Sequence, residues 1–328
     1  MLTLITGATG HIGNTLVRTL LSEHPEMQVR ALLLPGDPAS ALQGLPIEIV
    51  RGDVLDPASL RAALQNVDTV FHLAGVIVIR PSARALVERV NIHGAVNVGQ
   101  AALAAGVRRM VHVGSIHIFE RLPRGTIDEC VPLVTRQNAV GLYDYTKAEA
   151  VRQLQALVAE GLDVVFACPT GVFGPNDYLG SEYGAVLRGY LTHGTQVILN
   201  GGYNWVDVRD VARGLILAAQ QGAPGELYLL GGHYCSMRDF LKLTENVLGR
   251  RYRAILLPYP VAWVLAQGLG LAARAFNIAP ALTPYSLRTI RDNPNISHQK
   301  ASAALGYAPR PLTETLRDAL TWYAENPA

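Results

Sequence analysis

The chain has 328 residues, of which 49% are hydrophobic, and 28 basic residues stand against 26 acidic ones for a net charge of +2. This length and composition allow a substantial buried core. The basic residues are scattered, which argues against a nucleic-acid surface. Three isolated cysteines, Cys130, Cys168 and Cys235, have no metal-ligand spacing, so we expect no metal site and a reducing, cytoplasmic location. The first residues enter a predicted strand without the pattern of a secretory leader.

Strands and helices alternate along the first half of the chain. Apolar patterns predict them at 2–6, 11–23, 28–34, 46–50, 57–65, 68–73, 83–105, 109–114, 143–160 and 163–168. This alternation predicts an α/β fold with a doubly wound parallel sheet. We then expect a helix within 176–200, a return to the sheet within 205–230 and a mainly helical region over 237–325.

A glycine motif lies between the first predicted strand and the first predicted helix. Gly7, Gly10 and Gly13 have the spacing and the strand-turn-helix context of a dinucleotide fingerprint. They permit a tight turn and a close approach of the backbone to a pyrophosphate, which would face the positive end of the helix. An ordinary glycine-rich turn is the alternative.

A candidate acid-base pair lies in the middle of the chain. Tyr143 and Lys147 are four residues apart on a predicted helix, so their side chains share one face. The ammonium would lower the pKa of the phenol towards the range of an efficient general acid and base. A tyrosine packed on a lysine stem is the alternative. Ser115 follows a predicted strand where ligands bind in parallel sheets, although such a serine alone more often caps a turn.

With these motifs the sequence resembles the extended short-chain dehydrogenase/reductase superfamily, which includes NAD-dependent epimerases and dehydratases. Further segments resemble the motifs of that superfamily, in the same order: Asp53-Val54-Leu55-Asp56, His72-Leu73-Ala74-Gly75, Val90-Asn91-Ile92-His93-Gly94 and Pro169-Thr170-Gly171-Val172-Phe173-Gly174-Pro175. Each has a structural alternative. Asp53 could cap the helix after Pro57, and Asn91 could satisfy buried backbone groups.

The resemblance implies a fold and a set of site residues. A Rossmann-type domain would span 1–175, with its sheet completed by about 203–232, and a smaller, mainly helical substrate lobe would comprise 176–202 and 233–328. Ser115, Tyr143 and Lys147 would be catalytic. A nicotinamide dinucleotide, NAD(P)(H), would be held by Gly7, Thr9, Gly10, His11, Ile12, Gly13, Asp53, Val54, Leu73, Ala74, Gly75, Asn91, Tyr143, Lys147, Pro169, Thr170 and Val172.

The end of the second predicted strand bears on the choice of cofactor. NAD enzymes commonly place an acidic residue there, and NADP enzymes place an arginine nearby. Leu33 and Leu34 occupy these positions. Since no acid would repel the additional phosphate, the sequence slightly favours NADP(H).

Departures from the superfamily's motifs narrow the range of reactions that the chain could catalyse. Ile116, His117 and Ile118 stand where nucleotide-sugar dehydratases carry Thr-Asp-Glu. The pattern is closest to the dihydroflavonol-reductase and 3β-hydroxysteroid-dehydrogenase branch. We therefore predict hydride transfer between nicotinamide and a ketone or secondary alcohol of a fairly apolar small molecule, with His117 and Tyr183 as candidate substrate contacts. A sugar epimerase and a non-catalytic dinucleotide sensor are the alternatives.

An uncharged stretch at 254–273 raises the question of a membrane. Pro258 and Pro260 interrupt it, and the helix that could follow, 261–276, is shorter than the ~20 residues that a membrane span needs. We expect a buried helix, a lobe wall or a dimer face, with peripheral membrane contact as a lesser alternative. By resemblance, we expect a homodimer paired through the helix at 143–160.

Overall fold

The computed structural model describes residues 1–77, 83–122, 125–276, 282–292 and 295–327. Within these ranges, seven strands form a central sheet in the order β11 (Leu227–Leu230), β7 (Val164–Pro169), β5 (Arg109–Val113), β4 (Thr69–His72), β1 (Leu2–Thr6), β2 (Gln28–Leu33) and β3 (Glu48–Arg51). All neighbouring strands are parallel. The strand order reverses between β1 and β4, which confirms the predicted doubly wound Rossmann-type fold.

Helices cover both faces of this sheet because successive strand residues point to opposite sides. Leu4 contributes to the core beneath α2 (Pro57–Ala63), α4 (Ala95–Ala104) and α5 (Leu142–Val158). Its neighbour Ile5 contributes to the core beneath α1 (His11–Glu23), α7 (Val208–Gln221) and α11 (Gln299–Leu305). The predicted helix at 83–105 begins as α3 (Arg84–Glu88) and passes through a π-helical turn, Arg89–Gly94, into α4.

A second sheet departs from the sequence-based expectation. The predicted return to the main sheet within 205–230 is made by β11, whereas β10 (Gly202–Asp207) pairs with β8 (Gly171–Phe173) and β12 (His233–Ser236). Trp205 of β10 explains this placement, because its ring packs against Phe173 and Phe240 at centroid distances of 5.4 and 5.0 Å. The remaining strand pairs are β9 (Thr195–Leu199) with β13 (Arg253–Leu257) and β6 (Thr126–Ile127) with β14 (Asn295–Ile296).

The remaining helices are α6 (Glu182–Thr192), α8 (Met237–Leu248), α9 (Tyr259–Phe276), α10 (Pro284–Asp292) and α12 (Leu312–Glu325). Aromatic and aliphatic residues of α6, α8, α12 and β10 form one further apolar cluster. A smaller cluster joins α9 to α10 through Ala262, Ala266 and Leu287. The division of the chain into two lobes at the predicted boundaries stays a prediction.

Of the three roles predicted for the uncharged stretch, the buried helix is wrong for much of α9, whereas a lobe wall or a dimer face stays a prediction. Val264 is 70% exposed and Leu271 is 66% exposed, whereas Ala262 and Ala266 are buried against α10. Within the described ranges, the structure contains no helix with both the length and the apolar character needed to cross a membrane.

Candidate active site

Three predicted side chains meet beyond the carboxyl end of β5. Ser115 caps a single 3-10 turn, with its Oγ accepting the backbone N–H of His117 at 3.2 Å. A side-chain hydrogen bond also joins Ser115 to Tyr143, on the first turn of α5. One turn further along α5, Lys147 donates from Nζ to the carbonyl oxygen of Val113 at 2.5 Å. Ser115 is therefore both a turn cap and a neighbour of the candidate acid-base pair.

Burial dominates the ionisation of this pair. It raises the pKa of Tyr143 to about 12, with the Ser115 hydrogen bond acting against it and the Asp144 carboxylate adding to it. Burial also lowers the pKa of Lys147 to about 8. The pKa of Tyr143 is therefore raised where the sequence predicted a lowering, because burial disfavours the charged phenolate. At neutral pH the pair is a neutral phenol beside a mostly protonated amine, which suits proton donation.

Two glycines of the motif are required by close backbone contacts. Gly7 has a φ of 72°, and a Cβ on it would lie 2.8 Å from backbone atoms of Leu73 and Ala74. A Cβ on Gly13 would lie 2.2 Å from the carbonyl oxygen of Gly7. These contacts hold the start of α1 against the ends of β1 and β4. The turn is thus fixed by backbone packing, and side chains are kept out of it.

The start of α1 has the properties of an anion-binding site. The helix begins at His11, its N-cap Gly10 has no side chain, and its first turn contains no acidic residue. Backbone N–H donors and the positive end of the helix dipole are therefore left for a ligand, which fits the pyrophosphate of a dinucleotide. His11 itself bonds through Nε2 to the carbonyl of Pro175 at 2.9 Å, and burial lowers the pKa of its imidazole.

Asn91 shapes the loop that follows β4. Its Oδ1 accepts the backbone N–H of Val76 at 2.7 Å, and its Nδ2 donates to the Val76 carbonyl and to Thr146 Oγ1, both at 3.1 Å. Asn91 thus satisfies backbone groups of this loop, and its contact with the dinucleotide stays a prediction. The same loop borders the acid-base pair, because Lys147 Nζ lies 3.9 Å from where a Cβ on Gly75 would be.

A cavity of about 290 Å³ opens at the carboxyl end of β2. Thr9, Leu34, Asp37 and Ser40 contribute to its lining. The Asp37 carboxylate accepts hydrogen bonds from Thr9 Oγ1 at 3.1 Å and from the backbone N–H of Ala39 at 2.8 Å. An acidic group is therefore present beside this strand end, three residues beyond the two leucines on which the sequence-based cofactor preference rested.

The other predicted dinucleotide contacts occupy several strand ends. Asp53 follows β3 and accepts the backbone N–H of Leu55 at 2.9 Å, whereas Asp56 is the residue that caps α2. The alternative in which Asp53 caps that helix is therefore wrong. The remaining residues predicted to contact the dinucleotide are Ile12 in α1, the buried Val54, the loop residues Leu73 and Ala74, Pro169 at the end of β7 and Val172 in β8.

A small cleft of about 40 Å³ has His117 in its wall, and the ring of His117 lies 6.4 Å from that of Tyr143. His117, Thr170, Tyr183, Tyr203 and Thr289 line it, together with Ile116, Gly171, Gly202, Asn204 and Ile296. Thr170 thus lies in the wall of this cleft. Among the described residues, neither Thr170 Oγ1 nor His117 Nδ1 has a hydrogen-bond partner. Burial lowers the pKa of His117 to about 4, so its imidazole is neutral at neutral pH.

Sequence reasoning did not find two acidic residues at the site, Asp37 and Asp144. Asp144 directly follows Tyr143 and is 1% exposed, with Arg121 and Tyr285 as its side-chain partners. An acid inside the Tyr-Asp-Tyr-Thr-Lys segment was a usable signal, but its partners lie 23 and 141 residues away. Within the described parts of the chain, no group of three or more His, Cys, Asp or Glu side chains could hold a metal ion.

Comparison with known proteins defines the class. The model of the NAD dependent epimerase/dehydratase family matches residues 3–231. Sterol demethylase protein B of Methylococcus capsulatus is 30% identical, with 99% of both chains covered. The chain therefore belongs to the NAD-dependent epimerase/dehydratase family, within the extended short-chain dehydrogenases/reductases, and is an enzyme of that group.

Two further similarities span nearly the whole chain. A putative dihydroflavonol 4-reductase of Synechocystis sp. is 28% identical over 97% of this chain and 93% of its own length. The crystal structure of gox2253 superposes with a TM-score of 0.86 at 29% identity and covers 99% of this chain and 98% of that one. The resemblance of this chain to the extended superfamily, noted from its motifs, is confirmed along its full length.

Proposed function

We propose that the protein is a carbonyl reductase or alcohol dehydrogenase that interconverts a ketone and a secondary alcohol. This proposal is based on the arrangement of three side chains beyond the end of β5. There a protonated Tyr143 bonds to Ser115 and shares α5 with Lys147, and its ring lies 6.4 Å from that of His117 in the wall of the cleft. Such a group can protonate an oxygen that develops negative charge, which is what carbonyl reduction requires.

Three side chains would have separate roles in the reaction. Ser115 would donate a hydrogen bond to the substrate carbonyl oxygen, and Tyr143 would give that oxygen a proton. In the reverse direction Tyr143 would take the proton from an alcohol. Lys147 would hold the cofactor ribose and place positive charge near the phenol.

The nicotinamide cofactor, when bound, supplies or accepts the hydride. Its pyrophosphate would lie on the loop formed by Gly7, Thr9, Gly10, His11, Ile12 and Gly13. The adenine side would meet Asp53 and Val54, and the nicotinamide side would meet Leu73, Ala74, Gly75, Asn91, Pro169, Thr170 and Val172. The glycine contacts and the open start of α1 support this placement.

Cofactor choice is proposed to favour NAD(H), in contrast to the slight preference for NADP(H) inferred from Leu33 and Leu34. The Asp37 carboxylate faces the cavity at the end of β2. Carboxylate oxygens accept hydrogen bonds from ribose hydroxyls and repel a 2′-phosphate. The family model, which describes NAD dependence, supports the same choice.

The substrate is proposed to be mainly apolar, with His117 and Tyr183 among its contacts. Tyr183 forms part of an aromatic wall, with ring centroids 5.7 Å from Tyr203 and 4.8 Å from Trp205. The neutral His117 and the hydroxyl of Thr170 offer hydrogen bonds within this wall. The named activity of the Synechocystis relative, a reductase, agrees with a ketone substrate. A homodimer and a cytoplasmic location stay predictions from the sequence.

The proposal is tested with purified protein, NADH or NADPH, and a panel of apolar ketones. We expect wild type to oxidise NADH in a ketone-dependent manner and Tyr143→Phe to lose about 10²- to 10⁴-fold in rate. Cofactor binding, followed by calorimetry, should persist in Tyr143→Phe. Equal rates for the two proteins would contradict the role of Tyr143. Epimerisation of a nucleotide sugar without net cofactor turnover would select the epimerase alternative, and cofactor binding without any turnover would select the sensor.

A further inference from the structure

The buried carboxylate of Asp144 lies one residue from the proposed acid. It is 1% exposed in the first turn of α5, and a buried carboxylate is costly unless it is paired. Its Oδ1 accepts the hydroxyl of Tyr285 at 2.5 Å, and its Oδ2 accepts Arg121 Nη2 at 3.3 Å. Asp144 thus carries a negative charge that two distant parts of the chain compensate.

Tyr285 connects the wall of the cleft to the Asp144 carboxylate. It lies on α10, and its ring packs so closely against α5 that a Cβ on Gly141 would be 2.8 Å from it. The same ring is 5.9 Å from that of His117, and Thr289, one turn later on α10, lines the cleft. A shift of α10 would therefore change both the cleft and the compensation of Asp144.

The charge of Asp144 acts on Tyr143 through space. A nearby carboxylate opposes formation of a phenolate, and Asp144 contributes to the raised pKa of Tyr143. Arg121 and the Tyr285 hydroxyl reduce that effect because both donate hydrogen bonds to the Asp144 carboxylate. Other titratable or charged groups around the phenol are Lys147 on α5, His117 on the 3-10 turn, Cys168 on β7 and Tyr183 on α6.

We propose that Asp144 and Tyr285 are positioning residues that join the wall of the substrate cleft to the general acid Tyr143. The proposal rests on the proposed function, because it needs Tyr143 to exchange the proton. Neither residue touches the reacting atoms in this role. Tyr285 sets how strongly Asp144 acts on the phenol, so the placement of α10 affects proton transfer.

Two substitutions should move the pH dependence in opposite directions. Reduction needs protonated Tyr143, whose pKa lies above that of Lys147, so the upper of the two alkaline limbs of kcat/KM reports the phenol. Asp144→Asn removes the negative charge, makes the phenolate easier to form and should move this alkaline limb down by about one pH unit. Tyr285→Phe keeps the ring but leaves the Asp144 charge less compensated, and should move the limb up by a smaller amount.

A matched control separates this effect from general loss of structure. Tyr252→Phe also removes a buried tyrosine hydroxyl, one that donates to the Tyr190 carbonyl at 2.5 Å within the apolar cluster of α6, α8, α12 and β10. We expect its alkaline limb to match wild type. Ultraviolet titration of the tyrosinate in the cofactor-bound variants, with Tyr143→Phe as the blank, measures the same shifts without relying on turnover.

The outcomes are distinct. Opposite shifts for Asp144→Asn and Tyr285→Phe would support the proposal. Shifts of one sign, or unchanged limbs with lowered rates and melting temperatures, would overturn it and leave the pair with a structural role alone. Full activity in Tyr143→Phe would instead overturn the proposed function on which it rests.

Discussion

The dinucleotide end and the substrate end of the site are built in different ways. At the dinucleotide end, Gly7 and Gly13 create a surface of backbone atoms within one strand-turn-helix segment. At the substrate end, Tyr143, His117 and Tyr285 come from three separate elements and meet through side chains. Backbone surfaces tolerate little change and serve one ligand, whereas side-chain surfaces can be altered residue by residue. We therefore expect substitutions to alter the substrate end more readily than the dinucleotide end.

The largest effect that distinguishes the two ends is expected at their junction, Ser115. Ser115→Ala should lower kcat about 10²-fold with little change in cofactor affinity, because a donor to the developing oxyanion is lost. The substitution also removes a turn cap. Ser236→Ala, which removes the cap of α8 (Ser236 Oγ accepts Asp239 N–H at 3.1 Å), is the matched control. Similar losses of kcat in both variants would contradict a role for Ser115 in the reaction.

Backbone packing at the dinucleotide end can be tested with two alanine substitutions. Gly13→Ala places a Cβ 2.2 Å from the Gly7 carbonyl oxygen, whereas Gly10→Ala places one 3.3 Å from the same atom. We expect Gly13→Ala to lose about 1–3 kcal/mol of unfolding free energy and most cofactor affinity, because neither backbone segment can yield without moving a core strand. Gly10→Ala should lose less of both. Denaturant unfolding and calorimetric titration with NADH measure the difference, and a reversed order would refute the packing argument.

Substitution of Asp37 tests whether a side chain sets the preference between NADH and NADPH at the dinucleotide end, where backbone atoms form most of the surface. Asp37→Asn keeps the shape and one acceptor oxygen, removes the charge, and replaces the second acceptor with an N–H donor. We expect the ratio of kcat/KM for NADPH to that for NADH to rise about tenfold, because the loss of like-charge repulsion removes about 1.4 kcal/mol of discrimination against the 2′-phosphate. Asp239→Asn, at an exposed helix start, is the control for loss of one acidic charge. An unchanged ratio would remove Asp37 from cofactor selection.

The smallest effect is expected in the aromatic wall of the cleft. Tyr183→Phe keeps the ring that contacts Tyr203 and Trp205, so packing is preserved. We expect KM for an apolar ketone to change by less than about tenfold, with kcat nearly constant, since one hydrogen bond is worth about 0.5–1.5 kcal/mol. Steady-state kinetics measure both constants. A large fall in kcat would show that Tyr183 takes part in the chemical step.

Sequence reasoning succeeded where a site is local. The alternation of strands and helices predicted the parallel sheet. The four-residue spacing of Tyr143 and Lys147 predicted that one helix carries both, and they lie one turn apart on α5. It failed where desolvation decides the result. The pKa of Tyr143 depends on how much of the fold surrounds the phenol, and no spacing along a helix contains that information.

Asp37 shows a second kind of failure. The sequence places it three residues after Leu34, which suggests a loop position beyond the strand end. Instead, a tight turn brings Asp37 back to the end of β2. Its N–H is bonded to the Leu34 carbonyl at 3.1 Å, and Gly36 has a φ of 87°. The Pro35-Gly36 pair is the usual signal for such a turn. Counting positions from the end of the strand therefore missed an acid that the turn chemistry could have located.

The π-helical turn at Arg89–Gly94 makes the loop after β4 sensitive to chain length as well as to side-chain chemistry. Asn91 lies in this wider turn, from which it bonds both backbone groups of Val76. Deleting one residue before it would restore a regular α-helix and rotate Asn91 by about 100°. The loop would then lose its clamp although every contacting residue remained in the chain. Faster hydrogen exchange at the Val76 amide would report this loss.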